Sequence, residues 1–113
     1  MSKRIKGVFV WDVHSGQEEE FIRRWKMDSD IIQTYSGALG TKLHKPADSS
    51  RRYLGYATWE SLAHREKAMR QKALEHPELD SPENSTQSVS DFIFGGFFLE
   101  SDIESNPPVI KPE

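Results

Sequence analysis

The stretch IKGVFVWDV, residues 5–13, predicts a β-strand that is apolar on both of its faces. Valine, isoleucine and aromatic residues favour strands, and successive side chains of a strand point to opposite faces. The odd-numbered positions from Ile5 to Val13 therefore share one face, whereas Val8 and Val10 lie on the other. Because both sets are apolar, we expect both faces of this strand to be buried.

A second stretch of this kind closes the predicted domain. Residues 90–99, SDFIFGGFFL, are again apolar on both faces, and Gly95-Gly96 predict a bulge or a close approach of another backbone segment. Between the two stretches, hydrophobic periodicity and turn residues predict a helix, a hairpin, a second helix and a polar loop. Their predicted bounds are Gln17–Tyr35, Ala38–Lys45 with Arg52–Trp59, Ser61 to Leu74 or His76, and Pro77–Ser88.

The first of these helices shows one irregularity. Phe21, Trp25, Ile32 and Tyr35 lie at helical spacing and form an apolar stripe. The polar segment 27–30, MDSD, interrupts the apolar pattern. Ser and Asp are preferred at helix N-termini, so this segment predicts either a kink or a second helix start.

The order of elements is β-α-β-β-α-β, which predicts an α+β, ferredoxin-like antiparallel sheet. Two helices can cover only one face of such a sheet, yet the strands are apolar on both faces. An uncovered apolar face would form a large exposed patch, which a second copy of the chain would bury. We therefore expect a homodimer that closes a dimeric α+β barrel. Residues 1–101 would form the single domain and residues 102–113, which are rich in proline, a flexible or strapping tail.

Composition narrows the possible partners. The formal net charge is −3 and the sequence pI is about 5.8, which disfavours a nucleic-acid partner because that binding depends on clustered Lys and Arg. The chain contains no cysteine, which excludes thiolate catalysis and cysteine-based zinc sites and fits a cytoplasmic location. The N-terminus does not read as a signal peptide, and no apolar run is long enough to span a bilayer, so we expect no membrane partner.

Four segments together resemble a known family. They are GVFVWDV from residue 7, SGALGTKLHK from residue 36, YLGYATWES from residue 53 and EHPEL from residue 75. This set resembles the antibiotic biosynthesis monooxygenase family of dimeric α+β barrels, over about residues 5 to 99. The resemblance implies a homodimer and an oxygenase that uses no metal, flavin or other cofactor.

The same family includes haem-degrading relatives. Their pocket carries an Asn on the first strand, a Trp at the end of the third strand and a His on the second helix. Trp59 matches that Trp, but the first strand contains no Asn and the position of the His falls near Ala68-Met69. The sequence therefore departs from the haem-degrading pattern at two of three positions.

Candidate catalytic side chains are chosen for their chemistry. Histidine has an unperturbed pKa near neutrality, a phenol can hold a substrate oxygen, and an indole can stack on a planar ligand. These properties select His64, Tyr56 and Trp59 as catalytic. The alternatives are a solvated helix histidine, a half-buried tyrosine and a tryptophan that packs a helix on the sheet. Asp12 is a further candidate, as a base, as an interface carboxylate or as a charge that protects an edge strand.

Apolar side chains expected near the same pocket complete the site. Large aromatic and sulfur-containing side chains on the strands and helix faces would line a pocket for an aromatic substrate. We assign substrate binding to Trp11, Phe9, Trp25, Tyr53, Met69 and Phe94. No pair of histidines or carboxylates has metal-binding spacing, so we expect no metal site.

Two functions fit the sequence. The first is a cofactor-independent monooxygenase that acts on a small phenol, quinol or anthrone-like ring, for which an apolar pocket and an oxyanion partner are sufficient. The second is a barrel that binds a small molecule without catalysis, because a fold does not determine a function. A pocket that contains Trp59, a tyrosine and a histidine would favour the enzyme, whereas one filled by Phe94, Phe98 and Met69 would favour the binding protein.

Overall fold

A computed structural model describes residues 4–100, and within them the predicted order of elements is confirmed. Four strands and two α-helices alternate in the expected sequence, and two short 3₁₀ helices occupy the loop predicted to be irregular. Their bounds are β1 Ile5–Val13, α1 Glu18–Ile32, β2 Ala38–His44, β3 Arg52–Trp59, α2 Leu62–Glu75, 3₁₀ turns at Pro77–Asp80 and Thr86–Ser88, and β4 Ser90–Leu99. The tail predicted at residues 102–113 lies outside the described residues.

The sheet is antiparallel throughout, with the strand order β2-β3-β1-β4. This order, with both helices packed on one face, is the ferredoxin-like α+β fold that the sequence predicts. The two strands that are apolar on both faces, β1 and β4, pair along their full length, so the apolar surface is continuous from one strand to the other. Among the described residues, no helix is long and apolar enough to cross a membrane.

The position of β1 changes the interpretation of Asp12. Because β1 is a central strand, paired with β3 on one side and β4 on the other, the edge-strand interpretation of this charge is wrong. Asp12 instead lies opposite Arg52 on β3, and Arg52 Nε donates a hydrogen bond to Asp12 Oδ1 over 3.1 Å. The pair neutralises a charge that would otherwise stand alone in the middle of the sheet.

Helix α1 runs without a break, so the predicted second helix start at residues 27–30 is wrong, whereas the kink stays a prediction. Asp28 is held by an ion pair to Lys72 of α2 at 2.6 Å, and Ser29 is buried. Both polar side chains are therefore accommodated by the packing between the helices and do not end the helix. The helix ends at Ile32, three residues earlier than predicted, and the chain continues through a turn to Tyr35.

The bulge in β4 lies before the glycine pair and not within it. The register between β1 and β4 shifts between Val10 and Trp11, which leaves Ile93 as the extra residue. Gly95 remains in register and makes room for aromatic rings, because a Cβ there would lie 2.6 Å from Phe92 and 3.1 Å from Phe9. The close contacts at the glycine pair are thus made by side chains and not by the backbone segment that the sequence predicts.

The helices and the sheet enclose two clusters of buried residues. One contains Val13, Phe21, Tyr53 and Val89, and the other contains Ile5, Trp59 and Ala68. Each cluster lies at one end of the space between the sheet and the helices. The middle of that space is occupied by neither cluster.

The opposite face of the sheet carries no helix. The alternation of β1, β3 and β4 places Val8, Val10, Leu54, Phe94 and Phe98 on this face. Their exposure reaches 47% for Phe94 and 49% for Phe98, which is high for phenylalanine. We call this surface the open sheet face.

Candidate functional site

A cavity of about 270 Å³ lies between the sheet and the two helices, in the space between the two buried clusters. This volume is just below the range of about 300–1,000 Å³ that is usual for small-molecule pockets, so a ligand must be small. Residues from α1, α2, β1, β2 and β3 border it, together with Thr86 of the loop before β4. The cavity is therefore formed by the fold as a whole and not by one motif.

The sheet side of the cavity is aromatic. Phe9 and Trp11 lie on the helix-facing side of β1, with ring centroids 6.1 Å apart and planes inclined by 31°. Gly55 lies beside them on β3, where an added methyl group would sit 3.0 Å from Trp11 Cζ3. The missing side chain at Gly55 thus allows the Trp11 indole to lie flat along the floor of the cavity.

Helix α1 supplies the second aromatic wall. Trp25 borders the cavity, and its Nε1 would be 3.4 Å from a methyl group placed on Gly55, so the indole N–H lies close above the floor. Within residues 4–100 this N–H donates to no side chain or backbone acceptor. An indole N–H in this position is available to a ligand oxygen.

Polar groups border the cavity on the helix side. Lys72 Nζ of α2 donates to Asp28 Oδ1 of α1 over 2.6 Å, which joins the two helices across the cavity. Gln33 Oε1 accepts a hydrogen bond from Gly40 N at 2.9 Å, and its Nε2 is buried without a partner in the described part of the chain. The cavity therefore combines aromatic walls with a carboxylate, an ammonium group and an amide.

Arg65 of α2 also borders the cavity. Its guanidinium carbon lies 4.6 Å from the centre of the Phe97 ring, a cation–π contact with β4. Partial burial lowers the pKa of Arg65, and the nearby Glu66 carboxylate opposes this effect. The guanidinium is thus partly removed from water at the edge of the cavity.

The structure separates His64 from this cavity. His64 precedes Arg65 on α2, and its side chain points away from the cavity. Its Nδ1 lies 2.7 Å from Ser61 Oγ, and its Nε2 lies 3.4 Å from Glu60 Oε2. Its Cβ and ring pack against the backbone of Gly37, since a Cβ at that glycine would lie 2.5 Å from His64 Cβ. The contact holds the start of β2 against the start of α2, which is a structural role.

Three other predicted site residues also lie away from the cavity interior. Tyr56 borders it along β3, but its ring stacks on His44 at 5.5 Å on the open sheet face. Tyr53 belongs to the buried cluster around Phe21, with ring centroids 5.5 Å apart. Phe94 lies on the open sheet face, because it pairs with Val10. The other predicted residues border the cavity together: Trp59, Trp11, Phe9, Trp25 and Met69.

The sequence matches the profile of one family, described as antibiotic biosynthesis monooxygenase, over residues 5–76. This match covers more than half of the chain and includes β1, both strands of the hairpin and both helices. The chain belongs to the antibiotic biosynthesis monooxygenase family. The resemblance seen in the sequence is therefore confirmed.

Solved structures show the same fold as this antibiotic biosynthesis monooxygenase family member. SnoaB, a cofactor-independent oxygenase from Streptomyces nogalater, superposes with a TM-score of 0.72 at 18% identity, covering 95% of this chain and 100% of that one. A candidate monooxygenase from Shewanella loihica PV-4 gives a TM-score of 0.67 at 20% identity, covering 93% and 99%. A candidate antibiotic biosynthesis monooxygenase from Bordetella bronchiseptica gives 0.67 at 18% identity, covering 91% and 100%. No curated protein matches the sequence. At these identities the structural likeness establishes the fold alone.

Sequence reasoning missed most of the polar groups of this family member's cavity. On α1 and the residue that follows it, they continue the stripe that begins at Trp25, since Asp28, Ser29 and Gln33 follow at offsets of three, four and eight residues. On α2, Arg65 and Lys72 are seven residues apart, with Met69 between them on the same stripe. The signal that would have found them is therefore helical phase, with polar and apolar residues treated together.

Proposed function

We propose that the protein is a cofactor-independent monooxygenase that oxidises a small phenol, quinol or anthrone-like ring in the cavity between the helices and the sheet. The observation that carries the proposal is the cavity itself, with Phe9, Trp11, Trp25 and Trp59 at its walls in a chain of the antibiotic biosynthesis monooxygenase family. Aromatic walls favour a planar ligand through stacking and burial.

In such a reaction the substrate supplies the electrons. Loss of a proton gives a carbanion or phenolate, which transfers an electron to dioxygen; recombination forms a carbon–oxygen bond, and cleavage of the peroxide releases water. For an anthrone the balance is one substrate and one O₂ to one quinone and one H₂O, so no external reductant is needed. The protein must bind the ring, accept a proton and stabilise the oxyanion.

The described residues can divide these tasks. The indole N–H of Trp25, above Gly55, is placed to donate a hydrogen bond to a substrate oxyanion. The Asp28 carboxylate, at 2.6 Å from Lys72 Nζ, is the basic group that borders the cavity and is our candidate proton acceptor. Trp59, which is 3% exposed, closes one end of the cavity. A catalytic role for His64 or Tyr56 stays a prediction, and their positions do not support it.

The alternative, a barrel that binds a small aromatic molecule without turning it over, is favoured by one observation. Neither the His64 ring nor the Tyr56 ring reaches the cavity, although a histidine and a tyrosine were expected in an enzyme of this kind. The alternative predicts binding of the same ligands without consumption of oxygen. One assay therefore distinguishes the two.

Oxygen uptake with a panel of anthrones and quinols, together with a peroxide assay, tests the enzyme. We expect one O₂ per molecule oxidised and no free peroxide. Trp25→Phe keeps an aromatic ring and removes the N–H, so it should lower kcat by about a hundred- to a thousandfold, in line with the loss of one oxyanion donor. His64→Ala serves as the matched control and should keep the wild-type kcat. Binding without oxygen uptake would establish the alternative, and equal kcat values for the two variants would remove Trp25 from the site.

We further propose that the open sheet face pairs with the same face of a second copy. The apolar centre of that face, Val8, Val10, Leu54, Phe94 and Phe98, has no covering element within residues 4–100. A two-fold arrangement would bring each set of side chains against its equivalent and bury both. The helix-side cavities would then lie on the two outer sides of the closed barrel.

Native mass spectrometry and light scattering test the pairing. Wild-type protein should be dimeric at micromolar concentration. Phe98→Asp should give folded monomers, because a charge would be desolvated at the centre of the interface. Lys67→Asp, an exposed position on α2, is the control and should remain dimeric. A wild-type chain that is monomeric, soluble and folded would contradict this part of the proposal.

A further inference from the structure

Arg65 stands out among the charged groups at the cavity because it lacks a carboxylate partner. Seven close pairs of a basic and an acidic side chain, three of them with a histidine, lie in the described part of the chain, and none of them includes Arg65. Its guanidinium also takes part in no hydrogen bond to a described side chain or backbone acceptor. The contact that holds it is the face of the Phe97 ring, at 4.6 Å. A stacked guanidinium keeps its N–H groups free at the edge of the plane.

The other charges at the cavity leave this cation uncompensated. Lys72 is neutralised by Asp28 at 2.6 Å, so the three charged side chains at the cavity sum to one positive charge. Burial lowers the pKa of Arg65 because the cation loses water, and the nearby Glu66 carboxylate offsets this effect only in part. A partly desolvated cation at a cavity wall gains most from an anionic ligand.

We propose that Arg65 binds a carboxylate on the aromatic substrate, at the end of the cavity next to β4. A guanidinium and a carboxylate are both planar and can form two parallel hydrogen bonds, and stacking on Phe97 fixes the plane in which they meet. This inference names the substrate class of the proposed oxygenase as aromatic acids, and it rests on that proposed function.

The sheet register gives the expected length of such a ligand. Phe97 of β4 pairs with Gly7 of β1, whereas Gly55 of β3 pairs with Phe9 of β1 on the other side. Arg65 lies over Phe97, and the Trp25 N–H lies over Gly55, so the two polar contacts are two interstrand spacings apart across the sheet and two residues apart along the strands, roughly 12 Å in all. A two-ring aromatic acid with a phenol at the end opposite its carboxylate spans this distance.

A pair of probes that differ only in charge tests the inference. The probes are 6-hydroxy-2-naphthoate and its neutral carboxamide, and their dissociation constants are measured by calorimetry under nitrogen, where no oxidation takes place. The wild type should bind the carboxylate at least roughly tenfold more tightly than the amide, as expected for hydrogen bonds to a charged group. Arg65→Gln should remove this preference and leave the affinity for the amide unchanged.

Two further variants make the test specific. Arg70→Gln removes an exposed charge from the same helix, and it should keep the wild-type preference. Arg65→Lys keeps the charge but loses the planar fork, and it should give an intermediate preference. Equal affinity of the wild type for the two probes, a preference that survives Arg65→Gln, or no binding of either probe would overturn the inference.

The binding test of the anion site can fail independently of the oxygen-uptake test of the proposed function, because the binding constants are measured without oxygen. A preference for the carboxylate in a protein that never consumes oxygen with any substrate would support the anion site and remove the oxygenase. Oxygen consumption with neutral anthrones, combined with equal binding of both probes, would support the oxygenase and remove the anion site.

Discussion

Replacing Arg24 with methionine should release the loop before β4 from α1. The Arg24 side chain is 12% exposed, and its Nη1 faces three acceptors of that loop: Pro82 O at 2.8 Å, Ser85 O at 2.9 Å and Ser88 Oγ at 2.7 Å. Nη1 carries two hydrogens, so it can hold two of these bonds fully at one time. Methionine keeps the length and the apolar stem of the side chain and removes the donors.

The magnitude follows from that count. A hydrogen bond to a charged group contributes about 1.5–3 kcal/mol, and the loop carbonyls regain some water when Arg24 is lost, so we expect a decrease of about 2–4 kcal/mol in the free energy of unfolding. Urea denaturation followed by circular dichroism measures it. Hydrogen exchange should show faster exchange confined to residues 81–88. Because Thr86 of this loop borders the cavity, ligand affinity should fall as well.

Arg23 provides the control from the adjacent position. Its side chain is 54% exposed and, within residues 4–100, pairs with Glu20 alone, so Arg23→Met should lower the free energy of unfolding by about 0.5 kcal/mol or less. The two variants remove the same charge and differ in the loop contacts. If Arg24→Met costs no more than Arg23→Met, the loop is held by something other than this side chain and the reasoning is refuted.

Three more changes test the fold. Hydrogen bonds from Arg23 and Arg24 are the main cause that lowers the pKa of Glu20 from 4.5 to about 2. The stabilisation that the ionised carboxylate gives the fold is therefore complete above pH 4.5 and is lost as the pH falls towards 2. Urea denaturation should show Glu20→Gln to be less stable than the wild type at pH 7 and equally stable near pH 2. Gly37→Ala and Gly16→Ala both place a side chain at positive φ, which should lower the free energy of unfolding by about 1–2 kcal/mol in each variant. Only the new methyl group at Gly37 also meets His64, at 2.5 Å, so Gly37→Ala should be the more destabilising by at least about 1 kcal/mol. Equal losses of stability in the two variants would contradict the contact. Trp59→Ala should lower the free energy of unfolding by about 3–5 kcal/mol, since the side chain is buried; a loss under 1 kcal/mol would show that the site collapses around it.

The strands and their faces were predictable because the pattern that specifies them is local. Alternation predicts Tyr53 and Trp59 on one face of β3 and Tyr56 on the other, as the structure has them, but it does not show which of the two faces the helices cover. The start of α2 was predictable for the same reason, since Ser61 Oγ accepts a hydrogen bond from His64 N three residues later.

The polar half of the site depends on contacts between distant residues. Asp28 and Lys72 are 44 positions apart, and nothing near either residue indicates that they meet. The segment around Asp28 therefore looked like an interruption of a helix, although it is the part of the stripe that faces a cavity and not the core. A pattern of apolar spacing identifies a buried side and does not show which part of that side borders empty space.

The choice of His64 over Arg65 shows a second limit. The two residues are neighbours, but successive helical positions differ by about 100° in direction, so only one of them can face the cavity. The choice was made on the acid–base chemistry of histidine, whereas phase relative to Met69 and Lys72 selects Arg65. Helical phase is the more reliable criterion when a site is bordered by one side of a helix.

Strand β1 contributes side chains to both faces of the sheet. Phe9 and Trp11 point towards the cavity, and Val8 and Val10 point towards the open sheet face. If a residue were deleted near its end, next to the turn into α1, and the strand shifted by one position to compensate, these two sets would be exchanged, with the indole turned outward and the valines inward. The proposed ligand binding and the proposed pairing of two copies would then both be lost in the same variant, although no residue of either surface had been replaced. Evolution can adjust each surface by substitution, but it cannot change the length of this strand without altering both.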